Sequence, residues 1–229
     1  MRSMLLLSLL VLPLAMGCQP ANETASKVRN TLALGEIQNA AGYAEQQGKT
    51  QEAIELWSEY VDRRPQQASA QYRLGRLLLA EGRADDATDH LWVAHDLKPG
   101  NIEYLDLLAE ALFQAGERDT MFQMLHDTLE EGGLAEGHLR MAKYAQRAGL
   151  IDEALESLSI ASAIDGASSD RTHRAIARLA RQTGDTEAEI HAWRTVLWYD
   201  VTDQEATTRL TQLGEVPGPS LALQPLTDG

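Results

Sequence analysis

Four arginines, Arg171, Arg174, Arg178 and Arg181, follow one another at spacings of 3, 4 and 3 residues. On a helix that spacing sets four guanidiniums on one face. A guanidinium can hold a carboxylate through two parallel hydrogen bonds, so the stripe has two readings. Either it grips an anionic partner, or it pairs with Asp and Glu of neighbouring helices on a solvated face. Other chemistry is harder to assemble from this chain. The six histidines, His90, His95, His126, His138, His173 and His191, form no HExxH arrangement and no i, i+4 pair, so they read as surface or packing residues and no metal site is expected. There is no GxSxG, no GxxxxGK[ST] and no GxGxxG. Adjacent carboxylates occur at Asp85-Asp86, Glu130-Glu131 and Asp152-Glu153. Two of these pairs stand at helix starts, where negative charge is stabilised by the helix dipole without any acid/base role. No catalytic residue and no cofactor is assigned, and the chain is read as non-enzymatic.

The elements that must carry the arginines follow from composition and period. The 229 residues carry 20 Lys+Arg against 34 Asp+Glu, a formal charge of −14. So acidic a chain is a poor partner for nucleic acid, and none is expected. Hydrophobic residues are 44% of the total, which is globular composition, while 34 Leu and 32 Ala against 7 Val and 8 Ile favour helix over strand.

Arg2 and the uncharged apolar run Met4–Met16, ending in Ala15-Met16-Gly17-Cys18, have the pattern of a signal peptide over residues 1–17. The run of thirteen residues at ~1.5 Å per residue covers ~20 Å, short of the ~30 Å hydrocarbon core. Cys18 is the single cysteine, so an intrachain disulfide is excluded. These residues resemble the lipobox of bacterial lipoproteins, in which a lipidated Cys becomes the first mature residue. The usual Leu three places before the Cys is here Ala15, with Leu14 one step earlier. The resemblance implies lipidation of Cys18 and a lipid anchor to a membrane. Gln19 in place of Asp implies the outer membrane, facing the periplasm. The alternative is a soluble exported protein with a chance Cys near its cleavage site.

A period of about 34 residues fills the rest of the chain. Gly48, Gly82, Gly116, Gly149 and Gly184 lie 34, 34, 33 and 35 apart, each between two stretches of helical period. Ala53, Ala87 and Ala154 follow three of them, with Met121 and Glu189 at the equivalent places, and Pro65 and Pro99 close the first two repeats. The second repeat is the clearest, with Leu74-Gly75, Leu78, Gly82, Ala87, Leu91, Ala94 and Pro99. This pattern resembles the tetratricopeptide repeat (TPR). The third repeat departs most, with Met121 where a small residue is expected and Gly132-Gly133 in place of the closing Pro. Thr50, Asp85, Asp152 and Asp185 are expected as helix caps, and Thr186–Glu189 has capping-box spacing.

The expected fold is all-α, an α-solenoid of about five TPR-like helix-turn-helix repeats with a C-terminal capping helix. Residues 18–33 would hold the lipidated Cys and a linker or leading helix, with the linker over about 19–26. Residues 34–203 would form the repeats, 204–213 the cap and 214–229 an extended tail in which Leu221, Leu223 and Leu226 could dock on a neighbour. Trp57, Trp92, Trp193 and Trp198 fall on second helices and are expected to pack. In the TPR family the first helices line a partner-binding groove. Matching positions onto it adds Arg73 and Arg76 from the second repeat and Arg140, Lys143 and Arg147 from the fourth, while the third offers Glu103, Asp106 and Glu110. The resemblance implies a scaffold binding an envelope protein or an acidic, extended peptide segment. The alternative is an accessory subunit that takes an anionic polymer, such as an acidic polysaccharide, on the same arginines.

Overall fold

The computed structural model describes residues 20–166, 169–216, 218 and 221–225. The leader, Cys18 and Leu226 lie outside the described residues. Within them the chain forms eleven α-helices and no strand. Two compact units divide at Arg63 and Arg64.

The first unit contains α1 (Pro20–Gln46) and α2 (Thr50–Arg63). The described chain is already helical from Pro20, where a linker over about 19–26 was expected. Residues 21–26 contain no glycine or proline to interrupt the helix. Leu34, Ala41 and Ala44 of α1 are buried, as are Ala53, Ile54, Trp57, Tyr60 and Val61 of α2. Trp57 donates its indole N–H to Glu45 at 2.6 Å and meets Tyr60 edge to face.

The second unit runs α3 (Ala68–Ala80), α4 (Ala84–Leu97), α5 (Ile102–Ala115), α6 (Arg118–Asp127), α7 (Leu134–Ala148), α8 (Ile151–Asp165), α9 (Arg171–Thr183), α10 (Thr186–Tyr199) and α11 (Gln204–Gln212). These are four helix pairs and a terminal helix, each packed on the next in chain order. The second unit is thus an all-α solenoid of four helix-turn-helix repeats and a terminal helix, and the α1–α2 pair is a fifth helix-turn-helix repeat. Each pair turns on a glycine with φ between 68° and 81°, at Gly48, Gly82, Gly116, Gly149 and Gly184. That left-handed conformation strains any residue with a Cβ, which is why glycine recurs at this place.

Close crossings explain the small residues. A Cβ at Gly75 would stand 2.6 Å from Leu91 Cγ and 3.2 Å from the Ala87 carbonyl oxygen, so α3 and α4 touch almost backbone to backbone. Met121, where a small residue was expected, is fully buried together with Leu125 in the shortest second helix. The flexible thioether fills what the pattern leaves open.

Three of the expected caps stand differently. Asp185 does cap α10, accepting from the Ala188 N–H at 3.0 Å. Asp85 and Asp152 instead lie inside the first turns of α4 and α8, whose cap positions are Arg83 and Leu150, and Thr50 is the first residue of α2. There the carboxylates act on the helix dipole rather than on single N–H groups. With Asp185 at the cap, Thr186 and Glu189 form no capping box. Asn101 and Asp203 are further caps, of α5 and α11. Among the tryptophans, Trp57 and Trp193 are core residues, whereas Trp198 is half exposed.

Glu189 is buried with three donors gathered on one carboxylate oxygen, Oε1. It accepts from Arg209 Nε at 2.9 Å and Nη2 at 2.8 Å, and from the Trp193 indole at 3.2 Å. This pair fastens α11 to α10 around the core of Trp193, Val196, Leu197, Ala206 and Leu210.

Candidate binding groove

The first helices of the second unit, α3, α5, α7 and α9, carry every cation of the expected groove, and they also carry much of its neutralising charge. Arg140 is buried, and its Nε donates to Asp106 at 2.5 Å. Arg147 holds Glu110 with both terminal nitrogens, one of them at 2.9 Å, and lies over the Phe113 ring at 4.1 Å. Arg171 pairs with Glu136. Arg174 bridges Asp170 and Asp203, each at 2.6 Å, and Arg178 reaches Glu205 at 3.1 Å. Of the two readings weighed for the arginine stripe, pairing with adjacent helices accounts for Arg171, Arg174 and Arg178. Lys143 sits over the Tyr144 ring at 4.8 Å, and Arg181 is exposed. Neither makes a salt bridge among the described residues. Arg73 and Arg76 are exposed on α3, each with interactions of its own.

These pairs run one repeat ahead. Asp106 and Arg140 are 34 residues apart and Glu110 and Arg147 are 37 apart, so opposite charges at about the repeat period stitch the first helices of successive repeats, α5 and α7, together. Tyr144, which the sequence reading did not single out, sits at the centre of this stitch. Its hydroxyl donates to Glu110 at 3.3 Å, and burial together with that carboxylate pushes its pKa up. The Arg147 guanidinium holds Glu110 down to about 2 against the opposing effect of burial. Toward the α3 side, Tyr72 stacks on Tyr104 at 4.6 Å and donates to Glu103 at 2.6 Å. Burial first and Glu103 second raise Tyr72 to about 12. The signal for these contacts was present as tyrosines and opposite charges recurring near the repeat length.

Between α5, α7 and α9 lies a cleft of about 600 Å³, lined by Ile102, Asp106, Gly132, Glu136, Leu139, Arg140, Lys143 and Arg171. It combines two apolar side chains with charges of both signs. Three of the nine cations singled out from the sequence therefore meet at one cavity. Arg147 lies further along α7 in its ion pair, and Arg174 and Arg178 face the α11 end. Among the described residues no cluster of His, Cys, Asp and Glu is arranged to hold a metal ion. No helix among them is long and apolar enough to cross a membrane.

Comparison with known proteins agrees with this architecture. The tetratricopeptide repeat family profile matches residues 32–102. No curated protein sequence matches the chain. Among solved structures, a tetratricopeptide repeat protein from Parabacteroides merdae ATCC 43184 superimposes with a TM-score of 0.61 at 14% identity, covering 80% of this chain and 72% of its own. The MamA protein gives 0.56 at 16%, covering 81% and 98%. A thermophilic TPR protein of Thermus thermophilus gives 0.52 at 18%, covering 79% and 98%. At such identities the likeness is one of fold. With the repeat profile over residues 32–102, the 34-residue glycine period and the stacked helix pairs, the chain has the tetratricopeptide-repeat fold.

Proposed function

We propose that this protein is an exported, lipid-anchored adaptor that holds an extended, carboxylate-bearing segment of an envelope protein in the cleft between α5, α7 and α9. The TPR fold is a protein-interaction scaffold in general, and the observation that carries the finer reading is the cleft itself. Lys143 and Arg171 are exposed at its rim, Arg140 is buried in its wall, and Ile102 and Leu139 offer apolar surface. An incoming carboxylate can compete with Glu136 for Arg171 and take Lys143, whose ammonium lies over the Tyr144 ring and makes no salt bridge among the described residues. Pairing of Arg174 and Arg178 breaks the continuous cationic wall that an anionic polymer needs, which favours a peptide over a polysaccharide. The Ala15-Met16-Gly17-Cys18 sequence supports anchoring through Cys18 at the outer membrane, with the repeats in the periplasm.

Two experiments test this. A photo-crosslinking residue at Leu139 should capture a defined envelope protein, and Lys143→Glu with Arg171→Glu should weaken that capture tenfold or more with a reduced salt dependence. A crosslink of unchanged yield and unchanged salt slope places the partner elsewhere. Cys18→Ser should release the protein from membranes and abolish incorporation of labelled fatty acid. Equal partitioning of both forms, with no label in the parent, refutes the anchor.

A further inference from the structure

The last repeat carries a contact with the chain's own C-terminal segment, on helix α10, which does not line the cleft. Residues 221–225 lie extended along α10, and two hydrogen bonds centred on one residue hold them. Leu223 donates its N–H to the Arg194 carbonyl at 3.0 Å, and Arg194 Nε donates to the Leu221 carbonyl at 2.9 Å. Leu221 is 7% exposed and enters the cluster of Trp193, Val196, Leu197 and Leu210, while Ala222 packs at its edge. Pro225 is also buried.

The reason for an uncovered helix face at this point lies in α11. Within the second unit each earlier repeat is followed by a further pair of helices packed on it, but α11 is a single helix of nine residues with two buried side chains, Ala206 and Leu210. It leaves part of the apolar surface of α10 for another element to cover, as the open end of any stack must. The covering segment brings no charge of its own over Leu221–Pro225. Its hold comes from main-chain hydrogen bonds, which any extended chain can supply, and from one leucine side chain in a pocket. A helix residue whose carbonyl and side chain together read a passing backbone, beside a leucine pocket, is the arrangement by which grooves recognise extended peptides.

We propose that the α10–α11 face is a peptide-binding site for an extended, uncharged segment with Leu and Pro four residues apart, and that residues 221–225 occupy it as an intramolecular ligand. The occupant is the chain's own C-terminal segment, and the site becomes available in trans when that segment is displaced.

The test uses the full chain and a labelled synthetic peptide of residues 218–229. Leu221→Asp in the protein removes the pocket side chain from the resident segment and leaves Arg194, α10 and α11 unchanged. The peptide should bind this variant at least tenfold more tightly than it binds the parent, and a peptide carrying the same Leu-to-Asp change should not bind. Amide exchange supplies a second readout. The Leu223 N–H should be protected in the parent, exchange rapidly in the variant, and exchange more slowly in the peptide once it is bound. If the variant keeps its helical signal and still takes no peptide, the site is not a peptide site. If it loses α10 and α11, residues 221–225 are an integral part of the core and the proposal fails. Arg194→Ala, which keeps the main-chain acceptor, should weaken peptide binding to the Leu221→Asp protein severalfold, and an unchanged affinity would remove Arg194 from the site.

Discussion

Replacing Glu110 by Gln probes the stitch between α5 and α7 most directly. Glu110 and Arg147 are 24% and 36% exposed, so the pair is partly withdrawn from water, and both guanidinium nitrogens engage the carboxylate. Hydrogen bonding from Arg147, opposed by burial, brings the carboxyl from 4.5 to about 2. At ~1.4 kcal/mol per pKa unit that depression corresponds to about 3 kcal/mol, and screening through the exposed part of Arg147 reduces it to about 2. The folded pKa lies below the unfolded one, so the contribution is complete above the unfolded value near 4.5 and is lost as pH falls toward the folded value near 2. Urea unfolding followed by far-ultraviolet circular dichroism at pH 7, 5, 4 and 3 should therefore show parent and Glu110→Gln about 2 kcal/mol apart at pH 7. The gap should close to under half of that at pH 3. A gap that stays constant over this range would falsify the ion-pair account and leave only a change of packing. No gap at pH 7 would mean that the pair contributes nothing to stability.

Gly137→Ala should be among the most damaging single substitutions, because the new Cβ would stand 1.9 Å from the Leu129 carbonyl oxygen, a backbone atom that cannot rotate away. An expected loss of about 2–3 kcal/mol by thermal or urea unfolding follows from overpacking, and a neutral outcome would show that the 129–134 connection yields freely. Arg209→Met leaves the buried Glu189 carboxylate without its cation and should cost about 3–5 kcal/mol, whereas Arg209→Met with Glu189→Leu should recover much of that loss. A double variant no better than the single one would show that the pair's other role, holding the Trp193 indole, dominates.

The repeat architecture was legible in the order of residues alone because the relevant physics is local. Five glycines one repeat apart mark places where the chain must take a positive φ, and Gly75, Ala87 and Ala94 mark where two helices must approach closely. Such requirements depend on a residue and its neighbours within one helix pair, so they are written in spacing. The same holds for which helix face carries Arg171, Arg174, Arg178 and Arg181. What those arginines touch was not legible, because it depends on how separate helices pack. Besides Asp170 one turn back, Arg174 reaches Asp203, 29 residues ahead, and Arg178 reaches Glu205, 27 residues ahead, at the cap and first turn of a helix expected merely as a cap. Spacing places a guanidinium on a face, but the distance across to the next helix decides whether a carboxylate reaches it. The cleft at Lys143 and Arg171 and the docking of Leu221 beside Arg194 belong to the same class. Both arise where elements distant in sequence meet, and the shape of a gap between packed helices depends on how side chains from all of them fill it.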